Sequence, residues 1–194
     1  HNIRSVEGQS AGLKVKGGQD VQGPAHIVHG DYTLRSAPER LQQLARAPSV
    51  NDTLRAIIPP GSALLTQEAV DRALADDGRF AIINVWRNIA AEPVATHPLA
   101  LCDGQVVKPH DLVVFEIHMP DRIGENYWSK YRDRHRFYSY PAMIRDEALL
   151  IKQWDSAGEL ARSAGRKSDR SSDGPCTFSF HSAFVDPKTP EDAP

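Results

Sequence analysis

The strongest constraint on the fold is a change of pattern near residue 80. Before it, two stretches carry helix signals. Ser36-Ala37-Pro38-Glu39 matches a capping box with an early-turn proline, opening a helix through Leu41, Leu44 and Ala45 that Pro48 closes. Thr66-Gln67-Glu68 opens a second, with Ala69, Val70, Ala73 and Leu74 on one side and Gly78 past its end. After residue 80 the chain breaks into short β-prone runs. Phe80 to Arg87 is almost continuously apolar, as expected of a strand buried on both faces. Leu99–Cys102 and Leu112–Glu116 are further strands, each bracketed by Pro, Asp or Gly. Ala148–Trp154 is another, although Asp146-Glu147 leaves a short helix open. Cys176–Phe184 is the last, ahead of Pro187, Pro190 and Pro194. A few helices followed by many short strands predict a mainly β fold with flanking helices, consistent with a double-stranded β-helix (jelly-roll) core.

Bulk properties narrow the class further. A chain of 194 residues is expected to form one domain with a real core. A net charge of −2 argues against a nucleic-acid surface, which usually shows a basic stripe. Asp133 dilutes the basic group Arg132 to Arg136, and Asp169 dilutes Arg166 to Arg170, so both read as solvated faces. Cys102 and Cys176 are too few for a disulfide framework and lack zinc-type spacing, which fits a cytoplasmic setting. No apolar run approaches the roughly 20 residues that span a bilayer, and no secretory segment opens the chain. The missing initial Met and the abrupt stop at Pro194 predict that C-terminal residues of a longer protein are absent.

Residues 1–24 read as an irregular lead-in, and a strand follows over 25–34. Within it, an extended chain points alternate side chains to one face. His29 and Asp31 then lie side by side while Gly30 faces away. An imidazole and a carboxylate so placed are two corners of the facial set that holds non-haem Fe(II) with positions open for oxygen and co-substrate. A strand end where Asp31 opens a turn accounts for the same letters. The third corner would come from far along the chain. His181, in Phe178-Ser179-Phe180-His181-Ser182-Ala183-Phe184, is the leading candidate, and a hydrogen-bonded core histidine is its alternative. His135, just before the aromatic Phe137-Tyr138-Ser139-Tyr140, is the rival third ligand.

Longer phrases carry more. Val28-His29-Gly30-Asp31-Tyr32-Thr33, Ile83-Asn84-Val85-Trp86-Arg87 and Pro98-Leu99-Ala100-Leu101-Cys102-Asp103 occur in that order. They are followed by His135-Arg136-Phe137-Tyr138, by Asp146 to Lys152 with Asp155-Ser156, and by His181-Ser182-Ala183-Phe184-Val185-Asp186-Pro187. Together they resemble the non-haem iron oxygenases of secondary metabolism, which include the cephamycin-pathway cephalosporin hydroxylase and fungal hydroxylase/desaturase proteins. The resemblance implies a single oxygenase domain over residues 1–194, with Fe(II), 2-oxoglutarate and molecular oxygen as its working set. It assigns the metal-ligand and catalytic role to His29, Asp31 and His181. Asn88 departs from it, standing where the family often has proline. The family's arginine-containing segment after the His-Ser/Thr-Ala-Phe run is also missing, which leaves the clamp for the distal 2-oxoglutarate carboxylate unassigned.

Other residues are weighed individually. Arg87 ends an apolar strand and needs an anion or water. That anion is either a structural carboxylate or a carboxylate of 2-oxoglutarate or substrate. Asn84 and Trp86 share the other face of that strand and either line the pocket or pack. Tyr127, Trp128, Tyr131 and Tyr138 form either a substrate wall or ordinary packing, with a loop expected around Gly124. The expected reaction is hydroxylation, desaturation or cyclisation of a small natural-product intermediate. A zinc-dependent hydrolase or isomerase in the same pocket is one alternative, since zinc accepts the same ligands. A non-catalytic accessory partner of a biosynthetic enzyme is the other. The expected partner is a small-molecule substrate, with a homodimer or a biosynthetic partner enzyme possible and neither nucleic acid nor membrane involved.

Overall fold

The computed structural model of the chain describes residues 2–15, 18, 20–49, 52–119, 122–166 and 174–190. Of the basic group Arg166 to Arg170, only Arg166 falls among them, and part of the expected polar loop over 157–175 lies outside them. Contacts divide the chain into two compact units, His1–Ala25 with Pro38–Ala75, and His26–Ala37 with Asp76–Pro194.

In the first unit the expected lead-in contains a short helix, α1 (Val6–Ser10), whose Gly8 N–H donates to the Ser5 hydroxyl. The helix α3 (Gln67–Leu74) forms where expected, with Ala69 N–H donating to Thr66 Oγ1 at 3.2 Å. That bond satisfies one of the amides a helix start leaves unpaired.

The second unit is β-rich. Its strands are β1 (His29–Gly30), β2 (Ala81–Arg87), β3 (Leu99–Cys102), β4 (Leu112–Met119), β5 (Arg122–Ser129), β6 (Phe137–Ser139), β7 (Ala148–Asp155) and β8 (His181–Ala183). Six form one sheet in the order β4-β5-β1-β8-β3-β6, and β2 pairs with β7 in a second. Every pairing among these strands is antiparallel. Apart from the β4–β5 hairpin, neighbours in the large sheet come from distant parts of the chain. A short helix, α4 (Glu159–Arg162), follows β7. Among the described residues no helix is long and apolar enough to cross a membrane.

The large sheet has two unlike faces. Phe178 lies parallel to Tyr127 and Trp154, at centroid distances of 5.7 and 6.3 Å, and meets Phe180 edge-on at 5.2 Å. These rings, with Cys102 and Ala37, are the buried core. A Cβ on Gly30 would stand 3.0 Å from the Phe178 ring. The glycine between His29 and Asp31 therefore admits the core aromatic on the face opposite their side chains.

Several expectations are corrected. The first strand is two residues long, because the chain beyond Gly30 turns into α2 (Ser36–Gln43). The cap of that helix sits three residues before the expected one. Thr33 Oγ1 accepts from the N–H groups of Arg35 and Ser36, and Ser36 Oγ accepts from Thr33 N–H. β2 is not buried on both faces: Ile83 and Val85 are 55% and 64% exposed, since a two-stranded sheet offers no layer to cover its outer side. The loop expected around Gly124 is β5, extended by its pairing with β4 from Leu112↔Ser129 to Met119↔Arg122.

Candidate metal centre

Register brings the two histidines together. His29 is the Cα partner of His181 across β1 and β8, and of Trp128 across β1 and β5. The same row runs outward through Val113 on one side, and through Leu101 and Tyr138 on the other. Residues directly opposite one another in an antiparallel sheet share a face. Val113, Trp128, His29, His181, Leu101 and Tyr138 therefore form a single cross-sheet row on the face away from the aromatic core.

Asp31 completes the group. One donor atom from each of His29, Asp31 and His181 can be chosen so that all lie within 4.8 Å of one another. Asp31 Oδ1 is 3.5 Å from His29 Nε2 and 3.8 Å from His181 Nε2. The imidazoles of His29 and His181 are only 14% and 12% exposed, which leaves the carboxylate, 31% exposed, as the open side of the group.

The groups around the three residues define how each is presented. His29 Nδ1 lies 2.7 Å from the Ile27 carbonyl oxygen, which can only accept, so Nδ1 carries a proton and Nε2 is the ring nitrogen turned toward Asp31. Asp31 Oδ2 accepts from Asn84 Nδ2 at 3.1 Å, and Asp31 N–H donates to Gln153 Oε1 at 3.4 Å. The chain just beyond Asp31 is tied to β5: Thr33 Oγ1 donates to Glu125 Oε2 at 2.9 Å, Ser36 Oγ to the Glu125 carbonyl at 2.9 Å, and Leu34 N–H to the Tyr127 hydroxyl at 3.3 Å. Two imidazole nitrogens and one carboxylate oxygen facing a common point are a donor set suited to a divalent transition metal.

The other candidates separate clearly. Trp128 and Tyr138 share the face of the histidines, and Trp128 is stacked on Phe115 with centroids 4.0 Å apart. Tyr127 does not: its Cα partner is Gly30, it is buried in the aromatic core, and the alternation along β5 turns it away from Trp128. Asn84 reaches the site as a partner of Asp31, and Trp86 lies two residues along on the same face of β2. Arg87 is exposed and alternates to the opposite face from Asn84, which directs it away from Asp31. Tyr131 is 82% exposed.

His135, the rival ligand, belongs to another cluster. Its Nε2 is 3.2 Å from Asp111 Oδ2. The fully buried Asp111 also accepts from Arg132 Nε at 3.0 Å, Lys108 N–H at 2.9 Å and Arg134. Burial pushes the Asp111 carboxyl up, but the Lys108 amide, Arg134 and His135 outweigh it and bring it down to about 2.

Sequence reasoning missed Gln153, Glu125 and Phe115. Gln153 had a signal, as a lone amide inside the apolar run Leu149 to Trp154. Phe115 had none, because its place beside Trp128 depends on the β4–β5 register.

The family described as an oxidoreductase/YMDC permease-like domain matches residues 62–194. The chain belongs to that family. Among similar proteins, an Fe(II)/2-oxoglutarate-dependent dioxygenase of Aspergillus novofumigatus, nvfI, is 30% identical over 90% of this chain and 58% of its own length. A hydroxylase/desaturase of Penicillium oxalicum, poxK, is 28% identical over 88% of this chain and 49% of its own. The solved structure of the iron and alpha-ketoglutarate-dependent endoperoxidase NvfI superposes with a TM-score of 0.64 at 25% identity, covering 93% of this chain and 53% of that one. The double-stranded β-helix expected from the strand pattern is thus the fold of this member of the oxidoreductase/YMDC permease-like domain family. The chain spans about half the length of the curated relatives it matches.

Proposed function

We propose that the chain carries the metal centre of an Fe(II)/2-oxoglutarate-dependent oxygenase, with His29, Asp31 and His181 as the three protein ligands. One observation carries this reading: Asp31 Oδ1 faces the Nε2 atoms of both histidines, at 3.5 and 3.8 Å. The names of the relatives, a dioxygenase and a hydroxylase/desaturase, support the choice of iron and 2-oxoglutarate over zinc. When bound, iron, 2-oxoglutarate and oxygen supply the oxidising chemistry that breaks a C–H bond. The chain supplies placement. Ile27 fixes the tautomer of His29, the aromatic core holds the strand from behind, and Trp128 and Tyr138 offer apolar, hydrogen-bond-capable surface on either side of the histidines.

The substrate in this reading is a small natural-product intermediate that is hydroxylated, desaturated or cyclised. Residues 1–194 act as one oxygenase domain in a cytoplasmic setting. Association with a second copy or with a biosynthetic enzyme is part of the same proposal, read from the mass of the purified protein and of its mixtures. No feature of the site favours the zinc-dependent hydrolase or the non-catalytic accessory role.

The test is an anaerobic titration with Fe(II) and 2-oxoglutarate, followed through the weak visible charge-transfer band of the iron chelate. The band is expected in the parent protein and absent in His29→Ala and His181→Ala. A folded parent protein that binds Fe(II) and 2-oxoglutarate without the band, or a band that survives both substitutions, overturns the reading.

A further inference from the structure

A carboxylate can present one oxygen to a metal ion or both, and the choice decides how many coordination positions stay open. We infer that Asn84 makes Asp31 a one-oxygen ligand, an inference that rests on the metal reading above. The carboxylate only accepts, so the Asn84 group facing Oδ2 at 3.1 Å is its NH2. That bond occupies Oδ2 and leaves Oδ1 turned toward the two Nε2 atoms. Asn84 is therefore a positioning residue that acts through Asp31.

The β2–β7 pair shows how the contact is built. Along it the register shifts between Ile82, opposite Trp154, and Ile83, opposite Lys152. Gln153 is the extra residue on β7. A bulge of this kind re-aims a side chain, and here the fully buried Gln153 turns its Oε1 to the Asp31 N–H. One strand pair thus delivers two amides to one residue, Asn84 to the side-chain oxygen and Gln153 to the backbone. Neither amide titrates, so the hold does not compete for protons with the ligand itself. With Oδ2 held, the three protein ligands take three positions, and a bidentate co-substrate and oxygen have room beside them. Without Asn84, Oδ2 is free to swing onto the ion and take a position that the co-substrate needs.

Asn84→Leu keeps the branched outline of the side chain and removes the donor, and Asn84→Ala removes both. Asn84 is exposed on β2, so neither change opens a core cavity. Co(II) serves as an oxygen-tolerant probe, with 2-oxoglutarate added to the Co(II)-loaded protein. Both variants are expected to melt within a few degrees of the parent and to bind Co(II) roughly 10–100-fold more weakly, the usual cost of losing an outer hydrogen-bond partner. At saturating Co(II), 2-oxoglutarate binding is expected to fall about tenfold as well, a loss that a merely structural asparagine would not produce. Unchanged Co(II) and 2-oxoglutarate affinities in both variants overturn the role of Asn84. If the parent binds no Co(II), or its binding survives His29→Ala, the metal reading falls and this inference falls with it.

Discussion

Two aspartates in this fold each face histidine, and they are built for opposite purposes. Asp111 is fully buried and saturated by Lys108 N–H, Arg132, Arg134 and His135. Asp31 is 31% exposed, has one oxygen held by Asn84, and turns the other toward two imidazoles at distances too long for strong hydrogen bonds. Two guanidinium groups, a backbone amide and one imidazole complete the first carboxylate, whereas the second meets two imidazoles and the side-chain amide of Asn84. A buried carboxylate needs full pairing to be tolerated. A metal ligand must keep an oxygen available, so under the proposed function the difference in partners separates a structural anchor from a binding site.

The sharpest way to break the comparison is to remove each carboxylate in turn. Asp111→Ala strands Arg132, Arg134 and His135 and is expected to cost about 3–5 kcal/mol in denaturant unfolding. Asp31→Ala is expected to abolish Fe(II) binding and cost less than about 1 kcal/mol. Equal losses of stability would show that the two aspartates play the same role.

Acid separates them next. The Asp111 carboxyl is lowered from 3.8 to about 2 in the folded protein, so its contribution is present above pH 3.8 and is lost as pH falls toward 2. That loss is expected to amount to about 2 kcal/mol, read from urea midpoints between those pH values. Asp111→Ala should flatten this part of the profile, and a profile unchanged by the substitution would refute the assignment. The smallest expected effect comes from His135→Gln, which keeps a donor near Asp111. It should cost about 1 kcal/mol and leave the iron chelate band intact. Loss of the band would return His135 to the metal site.

The sequence made part of this legible. His29-Gly30-Asp31 could be read because strand alternation is a local rule, and it held even though β1 is only two residues long. The strand runs Leu99–Cys102 and Ala148–Trp154 were visible for the same reason, since their side chains carry β propensity. β5 was not: Arg122-Ile123-Gly124-Glu125-Asn126 is poor in β-formers, and its pairing with β4 overrides that composition. Once β5 is a strand, Tyr127 and Trp128 must face opposite ways, so they could not both line one wall. The exposure of Ile83, Val85 and Arg87 was not legible, because Phe80 to Arg87 looks like a covered strand and no local signal reveals that its sheet has two members among the described residues.

By itself the sequence determined the side-chain chemistry and short-range geometry: an imidazole and a carboxylate on one side of a strand, with a glycine between them. Tertiary structure decided which histidine joins them, which aromatic residues share their face and which amide holds the carboxylate. Those choices depend on sheet order and register across β1, β8, β5 and the bulged β2–β7 pair. Such pairings join residues far apart in the chain, and a one-residue slip in any of them would turn a whole strand's side chains to the other face.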